Sequence, residues 1–84
     1  MTTTDDRIAE TLLELARSGS LGPSFCPSDA ARHLNPEDWR PLLPRVREVA
    51  GRLQRDGLIH VTQSGKAVDA LSVNGPIRLS RPIH

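Results

Sequence analysis

The sequence predicts an α+β domain in which three helices are followed by a β-hairpin. Apolar residues recur at helical spacing as far as Leu53, and after Gly57 they alternate with polar residues as in a strand. The length of 84 residues suits a single domain with one modest core, so we expect residues 1–84 to form one unit. With one Trp, one Phe and no Tyr, that core has to be built from aliphatic side chains.

The first helix is predicted from about Asp5 to Arg17. Thr4 supplies an N-cap oxygen, and the acidic residues that follow it favour the positive end of a helix dipole. The apolar residues at helical spacing are Ile8, Leu12 and Leu15, with Ala9, Leu13 and Ala16 beside them. A loop rich in Gly, Ser and Pro over 18–23 separates this helix from the next.

A second, shorter helix is predicted from Pro27 to about Leu34. Proline is favoured at the first helical position, because its missing N–H needs no partner there. The small side chains of Ala30 and Ala31, together with Leu34, allow the main helix to pack closely against it. The segment is therefore typical of the helix that supports the main helix in a helix-turn-helix.

The main helix is predicted to begin near Leu42 and to end at Gly57, a residue type that favours a left-handed cap. Because Pro41 and Pro44 lack the N–H that an interior turn requires, a short turn around Trp39 should precede the helix. The apolar stripe of this helix consists of Leu42, Val46, Val49 and Leu53, widened by Leu43 and Ala50.

A β-hairpin is predicted over 58–71, with Ser64-Gly65 as a two-residue turn. This register places one pair of opposite residues, His60 and Asp69, on the face away from the core. The pairs expected on the buried face are Val61 with Val68 and Ile59 with Ala70.

A second turn at 74–76 is followed by Ile77–Leu79, which fits an edge strand. Three helices and then a hairpin is the element order of a winged helix-turn-helix, in which the hairpin is the wing. The predicted fold class is therefore α+β, winged helix-turn-helix.

Several short motifs in this chain also resemble a known family. They are Pro27-Ser28-Asp29, Ala31-Arg32, Trp39-Arg40, Val46-Arg47, Leu53 with Gly57, Gln63 with Gly65, and Gly75-Pro76-Ile77-Arg78. Together they resemble the small bacterial family catalogued as domain of unknown function 3253, over about Ile8 to Arg81. Asp29 stands where the family usually has glutamate, and Ala30 where it has a bulkier aliphatic residue. The resemblance implies a winged-helix-like domain. Because the family has no established activity, the resemblance assigns no catalytic or binding residue.

The charge is unevenly placed along the chain. Residues 1–39 hold three basic and seven acidic residues, for a net charge of −4, whereas residues 40–84 hold eight and three, for a net charge of +5. Such asymmetry fits a surface that meets an anion, although a solvated face gives the same pattern. Most of the excess lies on the main helix and the turn before it, which carry Arg40, Arg45, Arg47, Arg52 and Arg55 against Glu48.

Binding of double-stranded DNA through the main helix and the wing is the first functional hypothesis. The predicted contact residues are Arg47, Arg52, Arg55 and Lys66. In the alternative interpretation, the arginines pair with Glu48 or lie in water, and Lys66 serves only solubility. The acidic residues near the predicted helix starts, Asp29, Glu37 and Asp38, argue against DNA binding because they would repel phosphates. The long segment between Leu34 and Leu42 argues against a strict helix-turn-helix.

The second functional hypothesis is a non-enzymatic protein-interaction module on the same frame, which could form a homodimer. Trp39-Arg40 could anchor a partner, since Trp and Arg dominate binding hot spots. Alternatively, Trp39 closes the core over the second helix, while Arg40 or Arg32 reaches a nearby acid. A continuous basic strip would favour DNA, whereas an exposed apolar patch would favour a protein partner.

No motif in the sequence supports catalysis, so we expect no enzyme and no cofactor. The three histidines lack metal-ligand spacing, and no second cysteine joins Cys26, so we expect no metal site. Cys26 itself is interpreted as a small buried hydrophobe rather than an activated thiol. A lone cysteine, a polar start and the lack of a long apolar run favour a cytoplasmic protein with no membrane contact.

Overall fold

The computed structural model describes residues 3–82. The helices are α1 (Asp5–Ser18), α2 (Pro27–Leu34) and α3 (Leu43–Arg55), with a 3₁₀ turn (Arg40–Leu42) directly before α3. The strands are β1 (His60–Gln63), β2 (Lys66–Ala67) and β3 (Arg78–Ser80). They form an antiparallel sheet in the order β2-β1-β3. Three helices followed by this sheet give the predicted α+β layout, which is compatible with a winged helix-turn-helix.

Both ends of α1 have the local structure that the sequence predicts. The Oγ1 atom of Thr4 accepts a hydrogen bond of 3.2 Å from the backbone N–H of Arg7. At the other end, Gly19 adopts a left-handed conformation with φ of 66°, and its N–H bonds to the carbonyl of Leu15. The helix therefore ends one residue later than the predicted Arg17.

The prolines explain why α3 begins with a 3₁₀ turn. Pro41 lies within this turn and Pro44 lies in the first turn of α3, where the missing N–H groups need no helical partner. The predicted turn around Trp39 is thus present, although its helical part begins at Arg40.

The C-terminal end of α3 is a Schellman motif. Gly57 has φ of 74°, which confirms the predicted left-handed cap. The N–H of Leu58 bonds to the carbonyl of Leu53, and the N–H of Gly57 bonds to that of Gln54. This turn directs the chain from α3 into β1.

The hairpin turn is the predicted one. Ser64 and Gly65 have φ of 52° and 81°, the positive values of a type I′ turn. The paired residues are Thr62 with Ala67 and Gln63 with Lys66, and the N–H of Val68 bonds to the carbonyl of Val61. The register at the hairpin tip is therefore confirmed.

The predicted pairing of His60 with Asp69 is wrong, because β2 ends at Ala67. Asp69 begins a turn instead, and its Oδ1 atom accepts a hydrogen bond of 2.9 Å from the N–H of Leu71. On the other side of β1, His60 lies opposite Ser80 of β3.

The pairing of Ile59 with Ala70 likewise does not form part of the ladder. Both residues are buried as predicted, but the N–H of Ala70 bonds to the side chain of Gln54 on α3. The chain after β2 thus turns away from β1 and towards α3.

Phe25 covers part of the outer edge of β3. Its N–H bonds to the carbonyl of Leu79 at 2.9 Å, and its carbonyl accepts the N–H of Leu79 at 2.7 Å. These bonds attach the segment before α2 to the sheet, while the ring of Phe25 lies in the core. The sequence prediction placed a strand at 77–79 but did not foresee this bridge.

The core lies between the three helices and the inner face of the sheet. Its buried apolar residues form one cluster: Ile8, Leu12, Leu15, Phe25, Ala30, Ala31, Val46, Val49, Ala50, Leu53, Ile59, Val61, Ala70, Ile77 and Leu79. The predicted stripe of α3 is thus buried from Val46 to Leu53, and Ala30 and Ala31 of α2 are fully buried. Leu42, Leu43 and Leu34 lie at the margin of the core, where they are half-buried.

Candidate nucleic-acid interface

The four basic residues predicted to contact DNA do not share one surface. Arg47, Arg52 and Arg55 all lie on α3, whose opposite side packs into the core. Arg52 lies five positions after Arg47, which places the two residues about 140° apart around an α-helix. The contacts of each residue show which of them face solvent without a partner.

Arg47 points towards the chain that follows the hairpin. Its guanidinium group donates hydrogen bonds to the carbonyl oxygens of Gly75 at 2.8 Å and Val73 at 3.0 Å. The side chain is half-buried by these contacts. Arg47 therefore supports the backbone of this segment through one exposed and one partly buried hydrogen bond.

Residues 68–76, which we call the covering segment, lie across the same side of α3. The side chain of Gln54 donates to the carbonyl of Val68 and accepts the N–H of Ala70. Further along, the amide of Gln63 donates to the carbonyls of Asn74 at 2.7 Å and Pro76 at 3.1 Å. Three side chains, from α3 and β1, thus hold a segment that has no strand or helix of its own.

Arg52 belongs to a network of ion pairs on the other side of α3. Its guanidinium contacts Glu48 one turn earlier and, at 3.3 Å, Asp5 at the start of α1. Arg45 contacts the same Asp5 carboxylate at 2.8 Å. The two carboxylates balance the two arginines, so this face of α3 is not the basic strip that the sequence suggested.

The pKa of Asp5 is lowered by this network. The hydrogen bond from Arg45 is the largest cause of the lowered pKa. Desolvation is the next largest effect and opposes it, while the positive charges of Arg45 and Arg52 add to the lowering. Because all of these side chains are about half exposed, water and salt screen the attraction. The network therefore lowers the net positive charge of this face of α3, but it contributes little to the free energy of unfolding.

Arg55 and Lys66 are the two predicted contact residues that remain exposed. Within residues 3–82, neither forms a hydrogen bond or an ion pair through its side chain. Gln54, the neighbour of Arg55, bonds to the carbonyl of Val68, two residues beyond Lys66. This hydrogen bond joins the end of α3 to the chain that follows β2. Asp56, the residue after Arg55, is also exposed and lowers the local charge.

Arg32 and Arg40 lie at the opposite end of α3, against the ring of Trp39. The guanidinium carbon of Arg32 is 4.4 Å from the ring centroid, and that of Arg40 is 5.0 Å away. Trp39 is half-buried and packs against the core, as one of the two interpretations of the sequence expected. The arginines contact the ring, however, and not the nearby acid that this interpretation assigned to them.

The N-terminus of α2 is occupied by groups of the protein itself. The carboxylate of Asp29 accepts the backbone N–H of Cys26 at 3.0 Å. Arg78 donates to the Oγ atom of Ser24 at 3.0 Å and to the Sγ atom of Cys26 at 2.9 Å. Cys26 is therefore half-buried and in contact with a cation, rather than the buried hydrophobe that was predicted.

No group of three or more His, Cys, Asp and Glu side chains that could hold a metal ion is found within residues 3–82. None of the helices in the described part of the chain is long and apolar enough to cross a membrane.

A family model described as "Protein of unknown function (DUF3253)" matches residues 5–82. The chain belongs to this family. The match spans every helix and strand of the DUF3253 chain and all four predicted contact residues. No curated protein matches the chain.

Proposed function

We propose that this DUF3253 protein acts by binding, not by catalysis, and that its ligand is the phosphate backbone of double-stranded DNA. The observation that supports this proposal is that Arg55 on α3 and Lys66 at the hairpin tip are exposed and have no side-chain partner within residues 3–82. A guanidinium and an ammonium group held by rigid elements can each neutralise a phosphate. Such contacts position a protein on DNA without reading its sequence.

Arg52 can join this surface at small cost. Its partners Glu48 and Asp5 are about half exposed, and exposed ion pairs contribute only about 0–1 kcal/mol. A phosphate that approaches α3 can therefore replace a carboxylate as the partner of Arg52. Arg47 has a different role in this proposal, because its hydrogen bonds direct the guanidinium group to the covering segment.

Binding of this kind is weak and depends strongly on salt. Nonspecific protein–DNA complexes have dissociation constants on the order of 10⁻⁴ to 10⁻⁶ M at physiological salt. The logarithm of the affinity falls with the logarithm of the salt concentration by about 0.9 for each neutralised phosphate. Two or three contacts therefore predict a slope of about −2 to −3.

The test is a titration of the full chain against a random duplex of about 20 base pairs, by fluorescence anisotropy over several salt concentrations. The double variant Arg55→Gln/Lys66→Gln should weaken binding and reduce the magnitude of the slope by about 2. Arg17→Gln is the matched control, since Arg17 is an exposed arginine on α1. Absence of a complex at low salt, or an unchanged slope in the double variant, would show that the proposal is wrong.

A second candidate is a protein-interaction module that does not bind nucleic acid. The ion pairs of Asp5 and Glu48 with α3 favour it, because they place carboxylates where phosphates would approach. If the duplex does not bind at low salt, sedimentation velocity of the protein alone will show whether it forms a homodimer. For either function we propose a cytoplasmic location, since a lone cysteine suits a reducing compartment.

A further inference from the structure

The group formed by Arg32, Trp39 and Arg40, which we call the Trp39 cluster, is a second basic surface of the molecule. It is distinct from the proposed DNA surface, because it lies before α3, whereas Arg55 lies at the end of that helix. Both arginines are exposed. Neither has a carboxylate within ion-pair distance in the described part of the chain, although Glu37 and Asp38 are near in sequence.

The Trp39 cluster is already ordered in the free protein. The indole ring is fixed because it packs against the core, and each guanidinium group lies within 5.0 Å of the ring centroid. Stacking on an aromatic ring limits the rotamers of an arginine while its N–H edge stays free to form hydrogen bonds. A partner that binds these edges therefore loses less entropy than one that has to order a mobile arginine.

The chemistry of the cluster selects carboxylates. A guanidinium group can donate two parallel hydrogen bonds to one carboxylate, and two such groups can bind two acidic side chains. Pro36 and Pro41, which are exposed and close to Trp39 in sequence, offer apolar surface for such a partner. Trp and Arg are enriched in protein–protein hot spots.

Nucleic acid fits the cluster less well. A duplex carries one negative charge for about every 1.7 Å of its axis, so it would also bring phosphates against the exposed carboxylates of Glu37 and Asp38. A single strand would need a free face of the indole ring for base stacking, and Arg32 lies 4.4 Å from the ring centroid. A peptide with separated acidic side chains needs no free ring face, and it brings fewer negative charges towards Glu37 and Asp38 than a duplex does.

We propose that the Trp39 cluster is the docking site for a protein segment in which acidic side chains flank an apolar one. The two arginines bind the carboxylates, and the apolar side chain packs on the indole edge and the adjacent prolines. This inference does not depend on the proposed DNA binding, because no residue is shared between the two surfaces.

The experiment uses the full chain and a twelve-residue peptide that repeats Asp-Leu-Glu. Because Trp39 is the one tryptophan of the sequence, its indole N–H resonance and its fluorescence report directly on the cluster. The matched peptide carries Asn and Gln in place of the acids. A third titration uses a random DNA duplex of about 20 base pairs in place of the peptides.

The acidic peptide should shift the indole resonance of Trp39 in a saturable way, and the amide peptide should not. Arg32→Gln and Arg40→Gln should each weaken binding about tenfold or more, since each removes charge-assisted hydrogen bonds. Arg32→Lys and Arg40→Lys should lose less, because they keep the charge but not the paired donors. Arg17→Gln and the double variant Arg55→Gln/Lys66→Gln are controls that should bind the peptide like the parent.

Three results would overturn the proposal. The first is an indole resonance that does not move at millimolar acidic peptide. The second is equal binding by the amide peptide or by the Gln variants. The third is displacement of the peptide by the duplex, which would assign the cluster to nucleic acid.

Discussion

Leu71 lies directly over Gly51, and the contact leaves no room for a side chain at the glycine. A Cβ atom added to Gly51 would come within 3.0 Å of three carbon atoms of Leu71. Gly51 is buried in the middle of α3, while Leu71 belongs to the covering segment and remains 42% exposed. The glycine thus allows the covering segment to lie close against the helix.

Gly51→Ala should destabilise the protein, although alanine is the better helix former. The substitution gains about 1 kcal/mol of helix propensity, whereas overpacking costs about 1–3 kcal/mol. We expect a net loss of about 1 kcal/mol in the free energy of urea unfolding. Hydrogen exchange at the amides of 69–73 should become faster, because Leu71 has to move away from α3.

The double variant Gly51→Ala/Leu71→Ala separates the two effects. In the Leu71→Ala background the clash is removed, so Gly51→Ala should be neutral or stabilising by up to about 1 kcal/mol. The same destabilisation in both backgrounds would mean that Leu71 is not the residue that excludes a side chain at Gly51.

Asp5 should make the stability of the protein sensitive to acid. Its pKa is lowered in the folded state, mainly by the hydrogen bond from Arg45. A carboxyl group with a lowered folded pKa adds stability that is present above the unfolded pKa of about 3.9 and is lost as pH falls through the folded value. NMR titration of the Asp5 carboxyl carbon should show its midpoint rising in Arg45→Gln and also with added salt. A midpoint that is the same in Arg45→Gln and in the parent would contradict the assigned cause.

Leu53→Ala should cost about 2–5 kcal/mol of stability, because it leaves a cavity in the core. Leu53 is 7% exposed and lies on the buried stripe of α3. In a domain of this size such a loss can abolish folding. Leu21, which is 47% exposed, provides the control, since Leu21→Ala should change the stability by less than about 0.5 kcal/mol. An unchanged melting temperature in Leu53→Ala would show that the stripe is not buried.

The parts of the fold that depend on local signals could be predicted from the sequence. The cap at Thr4, the left-handed Gly57 and the Ser64-Gly65 turn each follow from residue types within a few positions. The buried stripe of α3 follows from apolar periodicity. These signals fix the order of the elements and the register of the hairpin tip.

The contacts of the basic residues could not be predicted in this way, because they join distant parts of the chain. Arg52 meets Asp5, which lies 47 residues earlier, and Arg47 meets the carbonyl of Val73, which lies 26 residues later. A backbone carbonyl is present at every residue, so no pattern of side chains marks the one that an arginine will reach. The wrong pairing of His60 with Asp69 has the same origin, since Gln54 on α3 draws the chain after Val68 away from β1.

Arg47 should contribute to the stability of the fold but not to the binding of DNA. Arg47→Gln removes the hydrogen bonds to the carbonyl oxygens of Val73 and Gly75. We expect this substitution to lower the free energy of unfolding by about 1–2 kcal/mol. The loss is small because the bonds are partly exposed to water. Arg55→Gln serves as the matched variant and should leave the melting temperature nearly unchanged, since Arg55 is exposed and has no partner within residues 3–82.

Only one of the two substitutions should change the salt dependence of duplex binding. Arg55→Gln should reduce the slope by about 1, because it removes a phosphate contact, whereas Arg47→Gln should leave the slope unchanged below its melting temperature. Both properties can be measured on the same samples by thermal unfolding and by anisotropy titration with the duplex. If Arg47→Gln reduces the slope and keeps the parent's melting temperature, then Arg47 faces the phosphates and the covering segment is held by Gln54 and Gln63 alone.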